Sequence, residues 1–139
     1  MRAEPGVRVL QPPGWPRPRG YANGVTARGE LVFVAGMIGW DADGVFRTDD
    51  LAGQVRQALR NVVAVLAEAG ASPAHIVRMT WYVTDVEAYS RASGQIGAAF
   101  REVIGSFSTA MSVVQVARLV ESQAKVEIEV TAVIPEARE

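Results

Sequence analysis

Met111-Ser-Val-Val-Gln-Val-Ala-Arg-Leu119 and Lys125-Val-Glu-Ile-Glu129, separated by Val120-Glu-Ser-Gln123, decide how this chain folds. Both segments read as adjacent strands, and the second alternates with the two-residue period of extended backbone. Strands are expected over Ala110–Leu119 and Ala124–Ile134. In the second, Val126, Ile128, Val130, Ala132 and Ile134 share one face, while Lys125, Glu127, Glu129, Thr131 and Val133 share the other. Two adjacent strands near the C-terminus need further strands and a cover for their apolar face.

The rest of the chain supplies both. Ile76–Thr84 alternates, with Val77, Met79, Trp81 and Val83 on one side, and reads as another strand. Leu51, Val55, Leu59, Val62 and Leu66 recur every three or four residues, one apolar stripe on a helix running to about Ala69. Thr48, Asp49 or Asp50 can cap its start, and Gly70 stops it. Asp85 is expected to cap a second helix over Val86–Ile104. Tyr21–Ala27 and Leu31–Gly36 flank Arg28-Gly-Glu30 and read as a hairpin. Residues 1–20 form a Pro/Gly-rich N-terminal arm with a short edge strand at Val7–Leu10, and Trp15 is expected to pack against something. The order β-β-β-α-β-α-β-β predicts an α+β sandwich: one mixed, mostly antiparallel sheet with two helices on one face.

The chain has 139 residues, enough for one compact domain over 1–139. A net charge of -1 provides no basic field, so a nucleic-acid partner is not expected. No cysteine is present, which excludes disulfides and thiolate chemistry and fits a cytoplasmic protein. No signal peptide or membrane span is read in the sequence. His75 has no second histidine with which to hold a metal and reads as a surface residue. Asp41, Asp43, Asp49 and Asp50 lack calcium-loop spacing and read as turn and cap residues.

Gly20-Tyr21, Val32-Phe-Val-Ala-Gly36, Gln54-Val-Arg-Gln-Ala-Leu-Arg-Asn61, Ala64-Val-Leu-Ala-Glu-Ala-Gly70, Val116-Ala-Arg-Leu119 and Lys125-Val-Glu-Ile-Glu129 follow one another in an order and spacing that resemble the RidA/YjgF family. That family includes the imine/enamine deaminases, and some members carry the L-PSP endoribonuclease label. The resemblance runs from about residue 20 to the end. It implies a chorismate-mutase-like fold and a homotrimer whose sheets form a central barrel, with a small-molecule cleft between subunits. It implies no metal or organic cofactor.

The same resemblance assigns roles. Glu127 corresponds to the acidic residue that serves the water or the imine nitrogen and is the candidate catalytic residue. Tyr21 corresponds to the tyrosine of the cleft, although the proline that usually precedes it is missing. Ala35-Gly-Met-Ile38 stands for the Ser-Gly-Gln-Ile segment, placing Gly36 and Met37 at the cleft, and Ser93 replaces an asparagine of the second helix. Seven residues before Arg118, where the deaminating members carry the arginine that binds the substrate carboxylate, stands Met111. A thioether cannot make the charge-assisted, bidentate bonds of a guanidinium.

Each candidate has a plainer reading. Glu127 can be a strand charge paired with Lys125 or Arg118, Tyr21 a half-buried strand aromatic, Met111 core packing, and Trp40 core or interface packing rather than a stacking surface. Arg118 is read as the ion-pair partner of a strand carboxylate. Arg17 and Arg19 read as solvated surface, with a reach into the cleft as the alternative. The leading functional reading is an imine or enamine hydrolase that releases ammonia. Loss of the arginine also admits a non-catalytic binder or sensor of a small metabolite; a ribonuclease or translation inhibitor fits the charge balance least.

Overall fold

The computed structural model describes residues 6–106 and 109–136. The strands are β1 (Val7–Leu10), β2 (Gly24–Ala27), β3 (Gly29–Ile38), β4 (Ile76–Val83), β5 (Ala110–Gln115) and β6 (Val126–Pro135); the helices are α1 (Leu51–Glu68), α2 (Val86–Arg91) and α3 (Ser93–Val103). Four strands form one sheet in the order β3-β6-β4-β5. The first two pairings are antiparallel and β4–β5 is parallel. The expected α+β sheet with helices on one face is therefore present, and no helix among the described residues is long and apolar enough to cross a membrane.

α1 forms as its apolar stripe and cap predict. Asp50 is extended, and its carboxylate accepts the Gly53 N–H at 2.9 Å. Val55, Leu59, Val62 and Leu66 are fully buried against Met79, Trp81, Val83, Val126, Ile128 and Val130 of the sheet. Removing such side chains from water supplies about 1.5–3 kcal/mol each, which is what holds the helix on the sheet. One polar side chain is sealed in with them. The Gln54 amide donates to the carbonyls of Thr48 (3.2 Å) and Gln123 (3.0 Å) and accepts the Lys125 N–H at 2.8 Å. Gln54 thus fastens the start of α1 to the entrance of β6.

Four expectations need correction. β2 and β3 do not form a hairpin: β2 pairs with β1, while β3 pairs with β6. The corner between them is Gly29, with φ +148°, where a Cβ would lie 1.9 Å from the Ile134 carbonyl oxygen. Only glycine passes so close to another backbone. The second helix is two helices that meet at Ala92, beside the weak helix formers Ser93 and Gly94; α3 buries Ile96 and Ala99 while α2 buries no residue fully. β5 ends at Gln115, and Val116 and Leu119 leave the ladder to pack with Ile38, Ala124, Trp40 and Phe46. Trp40 lies 5.9 Å from Phe46, ring to ring, so its packing role is the one observed. Finally, Trp15 is 60% exposed on this chain rather than packed.

Two bulges interrupt the alternation, one between Val34 and Met37 and one between Ile76 and Arg78. The second places Ile76, not Val77, among the buried residues. The acidic residues near 41–50 serve the backbone: Asp41 accepts the N–H groups of Asp43 and Val45 and pairs with Arg47 at 2.6 Å. His75 Nδ1 accepts the Ser72 N–H at 3.0 Å, closing the turn before β4.

Candidate functional site

A cavity of about 610 Å³ opens between α2, α3, β5 and the N-terminal arm. Its walls are Trp81, Tyr89, Ile96, Phe100, Met111 and Val113. The Trp81 ring stands edge-on to Tyr89 and tilted against Phe100, both at 6.4 Å between centroids. Its indole N–H is buried with no hydrogen-bond acceptor among the described residues. The rim is polar and includes Arg19, Tyr21, Ser93 and Arg101.

The arm reaches this rim because it is tied down. The Ala22 N–H donates to the Thr109 carbonyl at 2.9 Å, and Ala22 bridges to Ala110, the first residue of β5. Ala22 and Thr109 are both 2% exposed. Gly20, with φ +78°, turns the chain just before that anchor. Upstream, the Gln11 amide donates to the Trp15 carbonyl at 2.8 Å and accepts the Asn23 amide at 3.1 Å. Residues 19–21 are thereby held at the cavity mouth, where Arg19 is exposed to solvent and also lines the cavity.

A second group lies elsewhere. The Glu127 carboxylate lies over Gly36: a Cβ on Gly36 would meet Glu127 Oε2 at 2.5 Å. Glu127 makes no ion pair or hydrogen bond among the described residues. Its expected partners are otherwise placed. Lys125 Nζ donates to the Asp49 carbonyl, and Arg118 is exposed and forms no ion pair among the described residues. Beside Glu127 in register is Tyr82, whose hydroxyl donates to Glu129 Oε1 at 2.7 Å.

Within one chain the two groups are on opposite faces of the sheet. Met111 is level with Met79 and Glu127 with Tyr82, and Met79 and Tyr82 are three residues apart on β4. Tyr21, Ser93 and Met111 therefore share the cavity, while Gly36 and Glu127 share the other face. Met37, expected at the cleft, is level with Ile128 and packs against the main core, because the bulge at Ala35-Gly36 turns it to the helical side.

The hydrogen bond to Glu129 holds the Tyr82 hydroxyl above the ordinary phenol range, and burial does the same for Tyr89. A raised folded-state pKa keeps its stabilising contribution below the unfolded value, about pH 10, and loses it as pH rises through the folded value. Melting temperature is expected to fall above about pH 10, and Tyr82→Phe/Tyr89→Phe protein should fall less steeply. Equal alkaline profiles would assign the loss to other groups.

Residues 16–134 match the family model described as Endoribonuclease L-PSP. The 2-iminobutanoate/2-iminopropanoate deaminase of Salmonella typhimurium is 35% identical over 113 residues, 81% of this chain and 86% of that protein. The chain belongs to the RidA/YjgF family. Among solved RidA/YjgF structures, that of the Rid-family protein YyfB from Yersinia pestis, a protein of unknown function, superposes with a TM-score of 0.79 at 32% identity, covering 93% of this chain and 99% of that one. TdcF from Escherichia coli, solved with bound serine, gives 0.66 at 32% identity, covering 91% and 98%. The architecture is thus the chorismate-mutase-like fold of RidA/YjgF proteins.

Sequence reading missed the cavity's aromatic wall and Arg101. Ile96 and Phe100 do carry a signal, the four-residue spacing of one helical face with Arg101 next to it. Trp81, on the same strand face as Met79, is buried in the core and also walls the cavity.

Proposed function

We propose that the protein hydrolyses an imine or enamine to a carbonyl compound and ammonia, at sites completed between the subunits of a cytoplasmic homotrimer. The supporting observation is the Glu127 carboxylate, unpaired among the described residues and held over the bare backbone of Gly36. The face that carries it also carries Leu31 (58% exposed), Phe33 (72%) and Val114 (44%), apolar strand residues that a neighbouring subunit would cover. In this reading Glu127 of one subunit meets the cavity of the next, where Tyr21 and Ser93 shape the rim and Met111 lines the wall.

The chemistry needs little more. Water adds to the C=N carbon as Glu127 takes one of its protons and returns it to the imine nitrogen, giving a carbinolamine. Glu127 then takes the hydroxyl proton as the carbonyl forms and passes it to the departing nitrogen, which leaves as ammonia. Glu127→Gln is expected to lower ammonia release by about a hundredfold or more, the usual contribution of a general base, with an unchanged melting temperature. Imine turnover undiminished in that variant would remove Glu127 from the mechanism. The loss of the arginine at Met111 favours a second reading, a non-catalytic binder of a rather apolar metabolite. Ligand-induced thermal stabilisation without ammonia release would select it.

A further inference from the structure

We infer that the anion-recognising charge of this cavity sits on its rim, on Arg19 and Arg101, and that the cavity takes a carboxylic acid with a sizeable apolar or aromatic body. The inference rests on the cavity being the ligand site, as proposed above. The walls are Trp81, Tyr89, Ile96, Phe100, Met111 and Val113, and no carboxylate lines the cavity among the described residues. A volume of about 610 Å³ is that of a site for a ring-sized ligand, far more than a three-carbon acid fills.

Both cations lack an ion-pair partner among the described residues, whereas Arg47, Arg56 and Arg60 are engaged by Asp41 or Glu102. Arg101 folds back along α3, so that a Cβ on Gly97 would lie 3.3 Å from its Nη1, and Gly97 also lines the cavity. Arg19 lines the same cavity from the arm, which the Ala22–Thr109 hydrogen bond anchors. A guanidinium offers a fork of donors that matches a carboxylate. An acid whose carboxylate sits between them has its chain directed toward Trp81 and Phe100, and its second carbon stays at the mouth. A small acid held at the rim leaves the apolar wall uncovered, and one that sinks to the wall meets Met111 and no charge.

Three stable probes separate the contributions: phenylpyruvate has the body and the carboxylate, pyruvate only the carboxylate, and phenylacetone only the body. Titration calorimetry on the wild-type protein is expected to show phenylpyruvate binding about tenfold or more tighter than either of the others. Arg19→Gln/Arg101→Gln protein should bind phenylpyruvate about ten- to thirtyfold more weakly, the usual range for losing charge-assisted partners at a part-exposed site, and phenylacetone as before. Both side chains are exposed, so the melting temperature should not change. Pyruvate binding as tightly as phenylpyruvate, phenylpyruvate binding unchanged in the double variant, or no phenylpyruvate binding at all overturns the inference. Arginine-dependent binding without turnover of any imine defeats the hydrolase reading and leaves this inference standing. Glu127-dependent turnover with arginine-independent binding does the reverse.

Discussion

Met111→Arg protein is expected to hydrolyse 2-aminoacrylate about thirtyfold faster than wild type, or more, while the wild type barely exceeds the spontaneous rate. A small carboxylate that enters a part-buried cleft gives up water and needs a charged partner in return. Met111 lines the cavity beside Val113 and is half-buried, so it offers contact but no donor. Losing a charge-assisted partner in such a setting costs on the order of 2–5 kcal/mol, which corresponds to roughly thirty- to several-thousandfold. The cavity beside Met111 has room for a longer side chain. The assay generates 2-aminoacrylate in situ and follows its decay. Robust wild-type turnover would show that Arg19 and Arg101 already serve small acids, and the account of Met111 would be wrong.

Gln54→Leu is expected to lower stability by about 3 kcal/mol, because leucine fills the space and leaves three part-buried backbone groups unpaired at about 1 kcal/mol each. Those groups are the carbonyls of Thr48 and Gln123 and the N–H of Lys125. A loose Lys125 lies two residues from Glu127, so surviving folded protein should also lose activity. Urea unfolding measures the first effect. A midpoint within experimental error of wild type would mean that water replaces the amide at these groups.

What the sequence showed followed strong local signals. α1 has both a stripe and a cap, β4 alternates from Met79 to Val83 and β6 from Val126 to Ala132. What it hid depends on long-range contact. Gly29 looks like a turn residue until the Ile134 carbonyl is seen against it. The bulge that sends Met37 into the core changes register without changing the apolar pattern. Met111 and Glu127 were expected in one cleft, and the pairing of β5 with β4 and of β6 with β4 sets them on opposite faces of one chain. Arg101 carried no signal of its own, since an exposed helix arginine is ordinary until a cavity opens beside it.

Because the cavity and Glu127 lie on opposite faces of one chain, an active site joining them draws on two subunits, and subunit mixing distinguishes this from a site within one chain. Gly97→Trp should block the cavity, since Gly97 lines it on α3, and Glu127→Gln should disable the other half. Each variant alone is expected to be inactive on an imine that the wild type turns over. Unfolded together in equal amounts and refolded as trimers, they should recover about a quarter of wild-type activity, the fraction of interfaces that combine an intact cavity with an intact Glu127 in a cyclic trimer. Mixed trimers that form and stay inactive would contradict the account.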